Sequence, residues 1–152
     1  MTRRLQEIHY NDLVKSGLSD ETIESMGCFS MSGEGIYQEV FNSDEVSAKW
    51  RRASGYIIPF MQDGKEVSRR YRMFWADKDN VDGKAPKYLT VLGGETNLYV
   101  PPGFDQVYAA SEYLVITEGE KKAAKAVQEG IACVGLSGID MWADSAARKI
   151  EK

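Results

Sequence analysis

The stretch YLVITEGEKKAAKAVQEGIACVG, residues 113–135, decides the fold. Tyr113–Thr117 is an apolar, β-rich run of strand length and reads as a buried strand. Residues 119–129 read as a helix, with Ala123, Ala124 and Val127 on its packing side. Ile131–Gly135 is a second apolar run and a second strand. Strand, helix and strand within so short a span make a βαβ unit, with parallel strands and a right-handed crossover expected. In open α/β sheets ligands bind at the carboxyl ends of the strands. Glu118 is expected at that edge, beside Gly119, which allows close approach. The same residues have structural readings. Glu118 stands four residues before Lys122, a favourable helix pair, and Thr117-x-x-Glu120 fits a capping box.

Upstream, the pattern changes character. Residues 9–26 read as two short helices around a Ser-Gly turn, with Ser19 as N-cap and Gly27 as the stop. Leu13, Val14, Leu18, Ile23 and Met26 are expected on the buried side, and His9 at the surface or in a cap. The second helix carries no basic residue to meet phosphate, so the pair reads as a packing element and not a DNA-reading motif. Residues 29–41 give no clear pattern. Ser43 is expected to cap a helix over 44–52, with Val46 and Trp50 on one side. GYIIPF (55–60) and EVSRRYRMFW (66–75) flank Asp63-Gly64, a strong hairpin signal, with Pro59 suited to an edge. Alternation puts Arg70 and Arg72 on one face of the second strand and Val67, Arg69, Tyr71 and Met73 on the other. Residues 76–86 form a long polar loop, and residues 87–103 short extended pieces broken by Gly93-Gly94 and Pro101-Pro102.

Composition narrows the chemistry. The 152 residues are 43% hydrophobic and 28% charged, ordinary for a globular chain and enough for one core. No apolar run approaches a membrane span, and the N-terminus lacks the apolar stretch of a secretory signal. Cys28 and Cys133 are isolated, which excludes a zinc ribbon and argues for a reduced, cytoplasmic protein. With His9 the single histidine, catalysis would rest on carboxylates, lysines, arginines or tyrosines. The net charge is −4, yet Lys49–Arg72 holds seven basic residues and two acids, a net +5, leaving −9 for the rest. Aromatics interleave in and beside that basic stretch (Trp50, Tyr56, Phe60, Tyr71, Phe74, Trp75), the composition of a single-strand groove and equally of strands and a core.

Five strings occur in order: SGLSDETI (16–23), GYIIPF (55–60), KYL (87–89), LYVPP (98–102) and ITEGEKKA (116–123). Together they resemble the toprim-like, primase-type family of phage, plasmid and mobile-element replication proteins, which are often fused to helicases. The resemblance implies an α/β fold: an α+β N-terminal lobe with a β-hairpin, then the first βαβ unit of a toprim-like parallel sheet. It divides the chain into a small helical region (1–54), a β-rich primase-like lobe (55–112) and the first part of a toprim-like domain (113–152). It implies that Glu118 is the catalytic or metal-proximal carboxylate. It implies also that Arg70, Arg72, Lys87 and Tyr88 face nucleotide or template phosphates, although Lys87 and Tyr88 read equally well as a loop lysine and a packed tyrosine. The implied partners are single-stranded DNA, nucleotides and a helicase domain or protein, without a membrane. The implied cofactor is Mg2+ or Mn2+ in the parent protein, bound at Glu118 as part of a larger site. The sequence departs from the wider pattern at Lys122, where many primases have an acid, and in lacking the later Asp-x-Asp; Asp140 and Asp144 lie four apart. The zinc-binding module of cellular primases is absent. The tail from Gly135 reads as a domain cut in mid-fold, with Trp142 as a core plug, and the chain alone is expected to lack primer synthesis. The alternative is a stand-alone single-strand-binding or protein-interaction module of a mobile element, its acidic remainder suiting a basic partner.

Overall fold

Two apolar faces on one strand organise the molecule. The structure, a computed structural model, describes residues 4–137, and Asp140, Trp142 and Asp144 lie outside them. Strand β2 (Ser54–Gln62) is buried from Gly55 to Phe60, so both of its faces are covered. Tyr56, Ile58 and Phe60 point into one core, with Leu13, Leu18, Ile23, Met26, Ala123, Ala124 and Val127. Ile57 points into a second core, with Ile36, Val40, Trp50, Tyr71 and Met73. The first core takes residues from all three segments (1–54, 55–112 and 113–152), which share it.

Around β2 lies a four-stranded antiparallel sheet in the order β1 (Phe29–Ser32), β2, β3 (Lys65–Phe74), β4 (Tyr88–Thr90). The β2–β3 turn is the expected Asp63-Gly64, both residues at positive φ (50° and 75°), which is the two-residue turn whose twist matches a hairpin. Strand β1 pairs only with Ser54–Ile57, so at Pro59 the strand has β3 alone as neighbour and the missing N–H costs no ladder bond there. Helices α1 (Glu7–Lys15) and α2 (Asp20–Met26) cover the first core. Ser19 caps α2 by accepting from the Thr22 amide, and Gly27 ends it in the left-handed conformation.

Helix α3 (Gly33–Phe41) and the short α4 (Ala48–Arg52) cover the second core. A Cβ at Gly33 would stand 2.2 Å from the Trp50 carbonyl oxygen, so only glycine allows α3 to start there. Helix α4 begins later than expected. Ser43 accepts from the Glu45 amide in a local turn, leaving residues 43–47 non-helical, while Val46 and Trp50 are buried as expected. His9 corrects the sequence reading: it is fully buried, between Ser30 Oγ at Nδ1 (2.7 Å) and Ser54 Oγ at Nε2 (3.1 Å). His9 and Leu13 lie four apart and together form the buried stripe of α1, which turns Val14 outward to 42% exposure.

The βαβ unit is present as β5 (Val115–Glu118), α6 (Glu120–Gln128) and β6 (Cys133–Leu136), with β5 and β6 parallel. The fold class is α/β. Tyr99 adds an antiparallel bridge to Gly135 on the other side of β6, so that among the described residues β5 lies at the edge. The expected burial of the first strand is not found: Ile116 is 60% exposed, and Tyr113 and Leu114 are exposed outside the ladder. Ala123, Ala124 and Val127 of α6 are buried as the pattern required. A further helix, α5 (Phe104–Ala109), had no counterpart in the sequence reading. Among the described residues, no helix is long and apolar enough to cross a membrane.

Candidate functional site

Strand β3 must alternate, and its alternation sends two guanidinium groups toward the first core. Arg70 pairs across with Ile58 and Arg72 with Tyr56, both of which lie on that face. Cations so placed need acids, and two arrive from elsewhere in the chain. Arg70 Nη1 donates to Glu120 Oε1 at 3.1 Å and to the Ser137 carbonyl at 2.5 Å. Arg72 Nη2 donates to Asp12 Oδ1 at 3.3 Å and its Nη1 to the Met73 carbonyl at 2.7 Å. Asp12 also accepts from Tyr56 Oη (2.8 Å) and Lys121 Nζ (2.9 Å). Burial works to raise the Asp12 pKa, but the bonds from Lys121 and Tyr56 and the charges of Lys121 and Arg72 outweigh it and hold the carboxyl below its ordinary value. Burial and then Asp12 itself drive the Tyr56 phenol up, so it stays a donor.

Glu120 is therefore not the capping residue the sequence suggested. Thr117 is still in β5, Gly119 is the N-cap without a side-chain bond, and the Glu120 side chain, 3% exposed, turns inward to Arg70 and Ser137. A buried ion pair of this kind adds little net stability, but losing one partner strands the other. These bonds join α1, β3 and the start of α6. They bring the arginine face of the hairpin against the carboxyl edge of the β5–β6 pair.

Tyr88, opposite Arg72 on β4, lies over both guanidinium groups: its ring centre is 4.8 Å from Arg70 Cζ and 5.4 Å from Arg72 Cζ. Arg72 also stacks on Phe74, at 4.7 Å. Arg70 Nε and Arg72 Nε are buried donors with no acceptor among the described residues. Lys87 is exposed next to Tyr88, its carbonyl accepting from the Met73 amide at 2.8 Å. Glu118 is exposed at the end of β5, and among the described residues it makes no pair with Lys122. Gly119 follows at φ 91°, its amide bonded to the Leu136 carbonyl at 2.7 Å, with open space where a Cβ would point. That backbone is accessible only to glycine, and it leaves the edge uncovered.

The structure thus brings together Arg70, Arg72 and Tyr88, with Lys87 beside them, and sets Arg70 against the edge that Glu118 ends. Asp12, Tyr56, Glu120 and Lys121 belong to the same cluster and were not singled out as site residues from the sequence. For the two acids the one signal is charge: the stretch Lys49–Arg72, net +5, must find acids in the −9 remainder. On the other face Arg69 pairs with Glu39 (3.1 Å), from outside that stretch, and with Glu66 within it. Arg52 makes a two-pronged pair with Asp79 (2.8 and 2.7 Å). The basic stretch is largely neutralised in space.

A tight Mg2+ site takes one or two carboxylates with waters and substrate phosphate. Among the described residues, Glu118 is the carboxylate this edge offers, since Asp12 and Glu120 are engaged by cations, and no group of three or more potential ligands is present. With that one carboxylate the described residues make no closed metal site of their own, and no metal-dependent step is assigned to them.

A family model described as a domain of unknown function, DUF3854, matches residues 104–152, the span that holds α5, β5, α6 and β6. No curated protein and no solved structure matches the chain.

Proposed function

We propose that the chain is the nucleic-acid-binding and part of the catalytic region of a primase-type replication protein, taking single-stranded DNA and nucleotides at the carboxyl edge of β5–β6. One observation supports this reading above others. Residues far apart in sequence, Arg70 and Arg72, Tyr88 and the Glu118–Lys121 turn, converge at the sheet edge where α/β folds bind ligands. The arginines act through Tyr88. Their charges are compensated by Glu120 and Asp12, so they hold the ring in place and polarise it, and Lys87 meets phosphate. Glu118 is the carboxylate presented to a bound strand or nucleotide. Because the edge provides a single uncommitted carboxylate among the described residues, the activity assigned to this chain is binding, with metal-dependent primer synthesis a property of the parent protein.

Hydrogen–deuterium exchange with and without an oligothymidylate tests the placement. Slowed exchange at residues 87–90 and 118–122 is expected. Saturating oligonucleotide that leaves both segments unchanged would remove the reading.

A further inference from the structure

We infer that the groove between α4 and residues 76–86 is a second contact for single-stranded nucleic acid, in which a base stacks on Trp75 and Lys49 and Lys84 meet the flanking phosphates. This rests on the proposed function and extends the contact away from Tyr88. The groove has a volume of about 400 Å3 and is lined by Lys49, Trp75, Val81, Lys84 and Pro86, with Asp79 and Asp82. That is within the size range of ligand-binding clefts.

Its floor is fixed. The Trp75 indole N–H donates to the Pro86 carbonyl at 2.8 Å, and its ring stands edge-on to the buried Trp50, with centres 4.7 Å apart. The two-pronged Arg52–Asp79 pair ties the loop to α4, so the two walls are held together before any ligand arrives. That pair also uses up the Asp79 charge. Asp82 meets Lys84 only at 3.8 Å, with both side chains more than 70% exposed, a pair too loose to neutralise the lysine. Lys49, Lys78, Lys84 and Lys87 are all exposed around this loop, and Val81, 69% exposed, adds apolar surface beside the indole. A fixed, partly exposed indole flanked by exposed lysines has the chemistry of a sequence-tolerant single-strand contact, where each base offers a ring face and each link a phosphate. Lys87 and Tyr88 continue directly from Pro86, so one strand can run from the groove to the β5–β6 edge.

The test uses a fluorescein-labelled oligothymidylate and the full chain. Lys49→Glu with Lys84→Glu changes two exposed residues outside the Tyr88 site. Roughly tenfold weaker binding is expected, and a plot of log affinity against log salt flatter by about 1.4, two phosphates' worth for a single strand. Trp75→Phe keeps an aromatic ring against Trp50, and oligonucleotide quenching of tryptophan emission should fall in that variant. If Lys49→Glu/Lys84→Glu binds with wild-type affinity and slope while Tyr88→Ala is weakened, the groove inference is overturned and the Tyr88 site stands. If the wild-type chain binds no oligonucleotide at low salt, both fall.

Discussion

The four-stranded sheet and the parallel β5–β6 pair meet in one core but are finished to different degrees. The antiparallel sheet is covered on both faces at β2, where Tyr56, Ile57 and Ile58 are completely buried. The parallel pair is covered by α6 but leaves Val115 and Ile116 of β5 open, at 36% and 60% exposure. Parallel sheets are normally buried on both faces, whereas antiparallel ones tolerate one wet face. Here the usual relation is reversed: among the described residues the antiparallel sheet is the fully covered one, and the parallel pair keeps an open face.

Substitution of matched residues breaks or sharpens that comparison. Ile57→Ala removes a fully buried side chain between sheet and α3, and a loss of about 4 kcal/mol is expected in urea unfolding. Ile116→Ala, on the open strand, should cost less than about 0.5 kcal/mol. Equal losses would mean that β5 is covered in solution. The two neighbouring glutamates form a second matched pair. Glu120→Ala leaves the Arg70 guanidinium, 15% exposed, without its acid and should cost about 3 kcal/mol. Glu118→Ala should leave stability within about 0.5 kcal/mol of wild type, and a large loss there would make Glu118 a structural residue.

Acid provides a smaller effect. Burial lowers the His9 pKa below its ordinary value of 6.5; the Asp12 charge opposes this and the Arg72 charge adds to it. The neutral ring is the folded form, so its contribution is complete above pH 6.5 and is lost as pH falls below that value, where the unfolded chain takes up the proton first. Asp12, held below its ordinary 3.8, contributes above that value and loses its contribution as pH falls through the lowered one. Unfolding measured from pH 7.5 to 5 should therefore show a loss that His9→Gln reduces. An unchanged slope in that variant would show that another group dominates.

The most local features were legible in the sequence. Asp63-Gly64 makes its hairpin through backbone preference alone, and Ala123, Ala124 and Val127 mark the packed side of α6 by spacing. The features that escaped depend on distant partners. Residues 29–41 hold β1 and α3 because Gly33 must pass under the Trp50 carbonyl, a contact no local pattern announces. His9 is buried because Ser30 of β1 and Ser54 of β2 satisfy both ring nitrogens. Glu120 has the spacing of a capping box, but Thr117 is retained by the β5–β6 ladder, and Arg70, fifty residues away, takes the carboxylate. The residues named as a candidate site from the sequence (Arg70, Arg72, Lys87, Tyr88, Glu118) were reached through a family resemblance, with Lys87, Tyr88 and Glu118 inside its strings. The pairing of Asp12 with Lys121, Tyr56 and Arg72, which joins the cluster, shows only in space.

The most direct test of the binding claim is oligothymidylate affinity against salt for the wild-type chain, Lys87→Ala and Tyr88→Ala. Binding should weaken steeply with salt. Lys87→Ala should flatten the slope by about 0.7, one phosphate on a single strand. Tyr88→Ala should weaken binding roughly tenfold at every salt concentration with little change in slope, as loss of a stacked base would. Affinity that ignores salt, or that neither substitution changes, would contradict a single-strand site at the β5–β6 edge.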